Sequence, residues 1–258
     1  MAGGAGMIQA VFFDLYGTLV DVQTNEQSLP PYERLAEWLS DRKLRANPQA
    51  LQKAYLDEVD RLQKKSTDPE TEIDIRQVFE KLLTDLGANK PAASLVTDLA
   101  WAFRRFTRSR LQPIPGANDL IQRLRKDYRL GIISNAQKLF TDPELEELRL
   151  VDPFEAVILS SETGYKKPST RMFEVGLQAL EVAPDEAIFV GDSYQDDVVG
   201  AKQVGLRVLH YCPSDTSQTG PVEPDGRIKK ISEVTKYLDE WHEPIETPLV
   251  DEILDDDE

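Results

Sequence analysis

The chain has 258 residues, 40% of them hydrophobic, and a formal net charge of −16. This negative balance argues against binding to DNA or to anionic membranes, because both reward basic protein surfaces. No apolar run approaches the roughly 18 residues of a membrane span, and the single cysteine, Cys212, excludes internal disulfides and thiolate zinc clusters. We therefore expect a cytoplasmic protein, monomeric or homodimeric, without a nucleic-acid or membrane partner.

The first predicted element is a short apolar strand from Ile8 to Phe13, which runs into the carboxylate of Asp14. Gly17 and Thr18 follow closely and suit a sharp exit from a strand. A charge at the edge of a core costs on the order of several kcal/mol unless a metal or hydrogen bonds compensate it. Asp14 therefore needs a partner from elsewhere in the chain.

Four amphipathic helices, and no convincing strand, are predicted between residues 22 and 111, because apolar residues recur there at helical spacing. Their apolar stripes comprise Leu35, Trp38 and Leu39; Leu51, Tyr55, Val59 and Leu62; Val78, Phe79, Leu82, Leu83 and Leu86; and Leu95, Leu99, Ala102, Phe103 and Phe106. Near the end of the last helix, a solvated basic face is expected from Arg104, Arg105, Arg108 and Arg110. Residues 22–111 are thus predicted to form a cap inserted into a core of residues 7–21 and 112–245, with flexible tails at 1–6 and 246–258.

Beyond residue 112 the pattern alternates between helix and strand, which predicts a parallel sheet with helices on its faces. Three apolar strands each end in polar residues. The strand at 130–133 ends in Ser134 and Asn135, the strand at 156–159 leads to Lys167, and the strand at 187–190 ends before Asp192 and Asp197. Because ligands bind outside the carboxyl ends of parallel strands, these groups are expected to meet Asp14 at one site.

Four sequence motifs, in this order, resemble those of the haloacid dehalogenase superfamily. They are Asp-Leu-Tyr-Gly-Thr-Leu from Asp14, Ile-Ser-Asn from Ile133, Lys-Lys-Pro-Ser-Thr-Arg-Met-Phe from Lys166, and Val-Gly-Asp-Ser-Tyr-Gln-Asp-Asp-Val-Val-Gly-Ala from Val190. The resemblance implies an α/β fold in which a Rossmann-like parallel-sheet core carries an inserted four-helix cap of the C1 type. It also implies a hydrolase.

The resemblance assigns Asp14 as a nucleophile and implies a Mg²⁺ site. The ligands would be the carboxylates of Asp14, Asp192 and Asp197 and the main-chain carbonyl of Tyr16. Ligands that are all oxygens favour Mg²⁺ over softer metals. A cation would also let one carboxylate approach an anionic phosphoryl group.

Other positions match residues that handle the substrate in this family. Thr18 and Ser134 match phosphate-binding positions, and Asn135 matches the neighbour that orients the nucleophile or the substrate. Lys167, which directly precedes a proline, matches the charge-balancing lysine better than Lys166 does. The implied partner is a small anionic substrate.

The chain departs from the phosphatases of this family at Tyr16. That position usually holds a second Asp that serves as general acid, whereas haloacid dehalogenases have Tyr there. Loss of a general acid typically costs roughly 10²- to 10⁴-fold in rate. Asp192 and Asp197 favour phosphoryl transfer instead, because expulsion of halide needs neither a proton nor a cation.

The favoured interpretation is a Mg²⁺-dependent phosphatase that acts on a small phosphorylated metabolite through an aspartyl phosphate. An acyl or aryl leaving group would tolerate Tyr16, and Asp21 is a candidate substitute for the missing acid. Two alternatives stay open. One is a metal-independent 2-haloacid dehalogenase that uses Asp14, Ser134, Asn135 and Lys167, and the other is a binding or regulatory protein that keeps the fold without efficient turnover.

Overall fold

The computed structural model describes residues 7–214 and 220–242. The predicted tails, 1–6 and 246–258, lie outside the described residues. The strands, numbered along the chain, are β1 (Ala10–Phe13), β2 (Val20–Thr24), β3 (Arg108–Pro113), β4 (Arg129–Ser134), β5 (Ala156–Leu159), β6 (Ala187–Gly191), β7 (Arg207–Tyr211) and β8 (Gly226–Ile228). Six of them form one parallel sheet in the order β5-β4-β1-β6-β7-β8, and β2 pairs with β3 in a separate antiparallel ribbon.

Ten α-helices are described, four of them in succession between β2 and β3 and most of the others between strands of the parallel sheet. They are α1 (Pro30–Ser40), α2 (Pro48–Lys65), α3 (Ile75–Asp85), α4 (Ala93–Thr107), α5 (Ala117–Leu124), α6 (Lys138–Leu148), α7 (Ser160–Thr163), α8 (Thr170–Ala179), α9 (Gly200–Gln203) and α10 (Val234–His242). The predicted α/β fold with a four-helix insert is confirmed. Within residues 7–214 and 220–242, every helix is too short or too polar to cross a bilayer.

The two central strands of the parallel sheet, β1 and β6, are buried on both faces, which explains why every residue in them is nonpolar. All four residues of β1 are buried. Side chains of a strand alternate between faces, so Val11 and Phe13 join one hydrophobic cluster while Ala10 and Phe12 join the other. The sheet is therefore the rigid centre on which the polar strand ends are placed.

The helical insert has a hydrophobic core of its own, built by α1 to α4 around four aromatic rings. Tyr55 and Phe103 lie closest, with ring centroids 4.5 Å apart, and Tyr32 and Phe79 pack beside them. Phe140 of α6 joins this cluster from the core side, with its ring at right angles to Phe79 and 6.1 Å away. The insert and the core are thus held together by packing as well as by the chain.

The insert is connected through the ribbon of β2 and β3, in which Val22 lies opposite Leu111. The prediction of no strand between residues 22 and 111 is therefore wrong at both ends. These strands are short, and polar residues such as Asp21 and Arg110 pair across them, so the hydrophobic pattern does not reveal them. The predicted domain boundaries fall inside this ribbon and stay a prediction.

Candidate active site

Three carboxylates meet at the carboxyl edge of the sheet. Ligand oxygens of Asp14, Asp192 and Asp197 all lie within 4.8 Å of one another. Asp14 follows β1 and Asp192 follows β6, and these strands pair in parallel with Phe13 opposite Val190. Because parallel neighbours end at the same edge, the two acids leave the sheet side by side. Asp197 joins them from the π-helical turn that follows β6.

The turn after Asp14 is shaped to let Asp192 approach. Gly17 has a φ of +97°, and a Cβ at this position would lie 2.5 Å from Oδ2 of Asp192. Only glycine combines this backbone conformation with such a close contact. The hydroxyl of Thr18 donates a hydrogen bond of 3.1 Å to Oδ1 of Asp192. The Gly-Thr pair of the motif thus positions the second carboxylate of the site, and a phosphate contact by Thr18 stays a prediction.

Lys167 lies between two of the carboxylates and is buried with them. Its Nζ is 2.6 Å from Oδ1 of Asp14 and 2.6 Å from Oδ1 of Asp197. Burial alone would lower the pKa of this ammonium, but the charges of Asp14 and Asp197 outweigh it and raise the pKa. Lys167 therefore stays positively charged and offsets part of the negative charge of the cluster.

Ser134 is the last residue of β4 and Asn135 follows it at the same edge, where the two side chains contact different partners. The Ser134 hydroxyl donates a hydrogen bond of 3.0 Å to Oδ1 of Asp14. Asn135 bonds twice to the backbone of Lys167, accepting from its N–H at 2.7 Å and donating to its carbonyl at 3.2 Å. The structure thus places Ser134 against the carboxylate of Asp14, while Asn135 fixes the loop that carries the lysine.

The side chain of Tyr16 is engaged by residues of α6. Its hydroxyl donates a hydrogen bond of 2.5 Å to Oε2 of Glu144 and lies 3.2 Å from the hydroxyl of Thr141. Burial and the nearby charge of Glu144 raise the pKa of the phenol well above its usual range. Tyr16 is therefore protonated at neutral pH, and its proton points at Glu144.

Glu144 is itself the centre of a buried ion-pair network. Arg104 donates to both of its oxygens, at 2.8 and 3.2 Å, and Arg108 donates to Oε1 at 3.2 Å. Arg108 also pairs with Glu147 at 2.8 Å. The predicted solvated face is therefore wrong for Arg104, which is buried, and for the half-buried Arg108, because both bridge the insert to α6.

Sequence reasoning missed the two residues of α6 that contact Tyr16, Thr141 and Glu144. The helix carries a weak amphipathic pattern and contains Pro143, so its periodicity does not stand out. The available signal was a helix-length segment between two predicted strands. Such a segment is expected to be the crossover helix of a parallel pair.

The carboxylate cluster fits a divalent cation with oxygen ligands. The pKa of Asp192 rises to about 6, because desolvation and the charge of Asp14 disfavour its ionised form. The pKa of Asp197 also rises, because burial outweighs the favourable charge of Lys167. A bound Mg²⁺ would relieve this repulsion and accept the carboxylates as ligands. The carbonyl of Tyr16 belongs to the adjoining turn, and its part as a ligand stays a prediction.

Comparison with known proteins gives relatives named both phosphatase and dehalogenase. Among curated proteins, the glyceraldehyde 3-phosphate phosphatase of Pyrococcus furiosus is 38% identical over 102 residues, which are 39% of this chain and 42% of that protein. The chain spans about half the length of the first curated relatives that it matches.

Two solved structures resemble the whole fold. A 2-haloacid dehalogenase from Pseudomonas syringae pv. Tomato has a TM-score of 0.68 and 28% identity, covering 91% of this chain and 100% of the other. A phosphatase of this superfamily from Thermococcus onnurineus has a TM-score of 0.60 and 26% identity, covering 90% of this chain and 98% of the other. The model of one sequence family matches residues 8–205, most of the chain, and its description is haloacid dehalogenase-like hydrolase. The chain belongs to the haloacid dehalogenase-like hydrolases.

Proposed function

We propose that the protein is a Mg²⁺-dependent phosphatase that transfers a phosphoryl group from a small phosphorylated metabolite to Asp14 and then to water. The observation that carries this proposal is the clustering of Asp14, Asp192 and Asp197 within 4.8 Å around the buried Lys167. Expulsion of halide needs no cation, whereas phosphoryl transfer uses a divalent cation that such carboxylates can hold. The phosphatase names of one curated relative and one solved structure add support.

In the first step an oxygen of Asp14 attacks phosphorus, and the bond between phosphorus and the leaving oxygen breaks. Ser134 and Lys167 both donate to Oδ1 of Asp14, which fixes the direction of the other oxygen, Oδ2. When bound by the three carboxylates, Mg²⁺ would offset the repulsion between nucleophile and phosphoryl group. Water then hydrolyses the acyl phosphate, which releases inorganic phosphate and restores the Asp14 carboxylate.

The leaving group receives little help from Tyr16. The phenol has a raised pKa and already donates its proton to Glu144, so it is a poor general acid. Asp21, the substitute acid suggested by the sequence, is paired with Arg110 at 2.8 Å in the ribbon. We therefore infer a substrate whose leaving oxygen departs with little protonation, such as an acyl or aryl phosphate.

Two observations favour the second candidate, a metal-independent 2-haloacid dehalogenase. Tyr16 occupies the position at which dehalogenases carry Tyr, and the 2-haloacid dehalogenase from Pseudomonas syringae resembles the fold across 91% of this chain. In that reaction Asp14 would displace halide from carbon and form an ester. Asp197 pairs with Lys167 in either reaction, but the carboxylate of Asp192 would add repulsion against the substrate carboxylate, which is why this candidate ranks second.

The test is hydrolysis of p-nitrophenyl phosphate by the wild type and by Asp14→Asn, each with Mg²⁺ and with EDTA. Its aryl leaving group needs little protonation, so Tyr16 does not mask a competent nucleophile. The proposal expects activity that requires both Asp14 and Mg²⁺. Asp152→Asn, which removes one exposed carboxylate away from the site, should retain the wild-type rate.

The same preparations are assayed for halide release from 2-chloropropionate in EDTA. Halide release that depends on Asp14, without phosphate hydrolysis, would replace the phosphatase by the dehalogenase. Inactivity in both assays would leave a binding protein of this fold.

A further inference from the structure

A cavity of about 370 Å³ lies between the helical insert and the core, beside the carboxylate cluster. Tyr16, two residues after the nucleophile Asp14, and Asn135, directly after Ser134, line the cavity on the core side. Val59, Tyr55 and Val22 face it from the insert and the ribbon. Its size suits the leaving group of a small substrate whose phosphoryl group binds at Asp14.

Three charged side chains line this cavity, and only one of them is a cation. Glu26 and Glu72 are acidic, whereas Arg104 is basic. Arg104 directs its guanidinium to Glu144 through two hydrogen bonds, so its charge is neutralised before any ligand enters. The cavity therefore offers no uncommitted cation among its lining residues.

The two acidic residues are held by hydrogen bonds from neutral groups. Glu26 accepts from the hydroxyl of Tyr55 at 2.8 Å. Glu72 accepts from the hydroxyl of Ser160 at 2.7 Å and from the N–H of Ile73 at 2.8 Å. Neither carboxylate makes a salt bridge with any residue that the structure describes. Both carboxylates are thus oriented by neutral donors and can form an ion pair with a ligand.

Glu72 is fixed at the junction of insert and core. Its N–H donates to the carbonyl of Gly164 at 3.0 Å, and the neighbouring Thr71 forms a β-bridge with Tyr165, two residues before the site lysine Lys167. The backbone at Glu72 is therefore held to the loop that carries Lys167, and its carboxylate is held to the core by Ser160. Glu26 lines the same cavity from the segment after β2, so two separate segments contribute the carboxylates.

We propose that Glu26 and Glu72 are specificity residues that select a leaving group bearing an ammonium group and reject one bearing a second anion. This inference rests on the phosphatase function proposed above. Two uncompensated carboxylates attract an ammonium, accept its N–H donors, and repel a carboxylate or a second phosphate. A neutral leaving group should lie between these two extremes.

Three aryl phosphates of similar size separate this charge effect from the chemistry of the leaving oxygen. They are tyramine O-phosphate, which carries an ammonium, 4-ethylphenyl phosphate, which is neutral, and the phosphate ester of 3-(4-hydroxyphenyl)propionate, which carries a carboxylate. All three release an alkylphenol, so any weakness of Tyr16 as an acid affects them alike. In the wild type at low ionic strength, we expect kcat/KM for the ammonium ester to exceed that for the carboxylate ester by about tenfold or more.

The variants Glu26→Gln, Glu72→Gln and their combination remove the charges while keeping an oxygen acceptor for Tyr55 and Ser160. The combined variant should bring the ammonium-to-carboxylate ratio to within about threefold of unity, with each single change giving part of the effect. Glu37→Gln, an exposed position on α1, removes the same charge outside the cavity and should leave the ratio unchanged. A ratio near one in the wild type, or an unchanged ratio in the combined variant, overturns the proposal.

Failure of the phosphatase function would look different. In that case the wild type would hydrolyse none of the three esters, including the neutral one. Calorimetric binding of the three esters to the wild type would then measure the same charge preference without turnover. The specificity role is supported if the wild type binds the ammonium ester most tightly and the carboxylate ester most weakly, and if these differences in affinity shrink in the combined variant. Equal binding of all three, or no binding, overturns them.

Discussion

The phenol of Tyr16 donates a hydrogen bond of 2.5 Å to Glu144. This buried carboxylate also forms salt bridges with Arg104 and Arg108. Arg104 belongs to α4 and Arg108 begins β3, so this network links the turn after Asp14 to the end of the helical insert. We therefore expect Tyr16 to be a positioning residue that ties insert and core together.

Replacement of Tyr16 by Phe tests whether Tyr16 positions the insert on the core or serves as a catalytic acid. The ring remains, but Glu144 loses one hydrogen-bond donor. We expect kcat for p-nitrophenyl phosphate to stay within about threefold of wild type, because the phenol takes no part in proton transfer. The free energy of unfolding should fall by about 1–3 kcal/mol, measured by urea denaturation. A loss of kcat by two orders of magnitude with unchanged stability would make Tyr16 a catalytic acid.

Glu144→Gln and Glu147→Gln compare the stability contribution of the buried ion-pair network with that of the exposed pair between Arg108 and Glu147. The first change leaves Arg104 buried beside a neutral amide, and we expect the free energy of unfolding to fall by about 3–5 kcal/mol. Glu147→Gln removes the other partner of Arg108, a side chain that is 50% exposed, and should cost at most about 1 kcal/mol. Equal losses in the two variants, measured by denaturant unfolding, would show that burial does not set the strength of this network.

Lys167→Met removes the ammonium that bridges Asp14 and Asp197. We expect kcat for p-nitrophenyl phosphate to fall by at least about 10²-fold, because the nucleophile and the transferring group lose their nearest compensating charge. The neighbouring Lys166→Met is the control and should stay within about twofold of wild type. If both variants kept full activity, the charge-balancing role of Lys167 would have to be abandoned.

The raised pKa of Asp192 predicts how Mg²⁺ stabilises the protein at different pH values. In the unfolded chain this carboxyl has a pKa of about 3.9, whereas in the folded metal-free protein it is about 6. Between these values the folded state binds the extra proton, so the contribution of Asp192 to stability falls as the pH rises from about 4 through 6. Mg²⁺ binds the ionised form and removes this penalty.

Thermal unfolding with and without Mg²⁺ measures that linkage. The increase in Tm caused by Mg²⁺ should be larger at about pH 7.5 than at about pH 5. Asp192→Asn removes the titrating group and a ligand, so the Mg²⁺ effect should shrink at both pH values. A Mg²⁺ effect that grew toward acid pH would contradict the assignment of this cluster as the metal site.

The strand ends were predictable because each combines a short buried apolar run with a polar residue directly after it. Asp14, Ser134 and Asp192 follow such runs, and parallel pairing brings them to one edge. The sharp turn at Gly17 was also predicted, and the structure adds that Asp192 approaches this residue too closely for a side chain to fit. Because the strands are parallel, the residues at their carboxyl ends lie at one edge of the sheet.

The network around Tyr16 was not predictable from the same kind of signal. A helical pattern shows which apolar residues face inward, but it does not tell which charged residue on the helix is buried. Arg104 lies between Phe103 and Arg105 and reads as one member of a basic surface, yet it is buried against Glu144, 40 residues away in the chain. Such pairs depend on how the insert packs on α6, which is a tertiary property.

The most direct test of the account is to trap the covalent intermediate during turnover of p-nitrophenyl phosphate with Mg²⁺. Wild-type protein is acid-quenched in the first turnovers and digested, and the peptide that contains Asp14 is examined by mass spectrometry. We expect one phosphoryl group on Asp14, absent in EDTA and absent from Asp14→Asn. A phosphoryl group on another residue, or undiminished hydrolysis by Asp14→Asn, would contradict it.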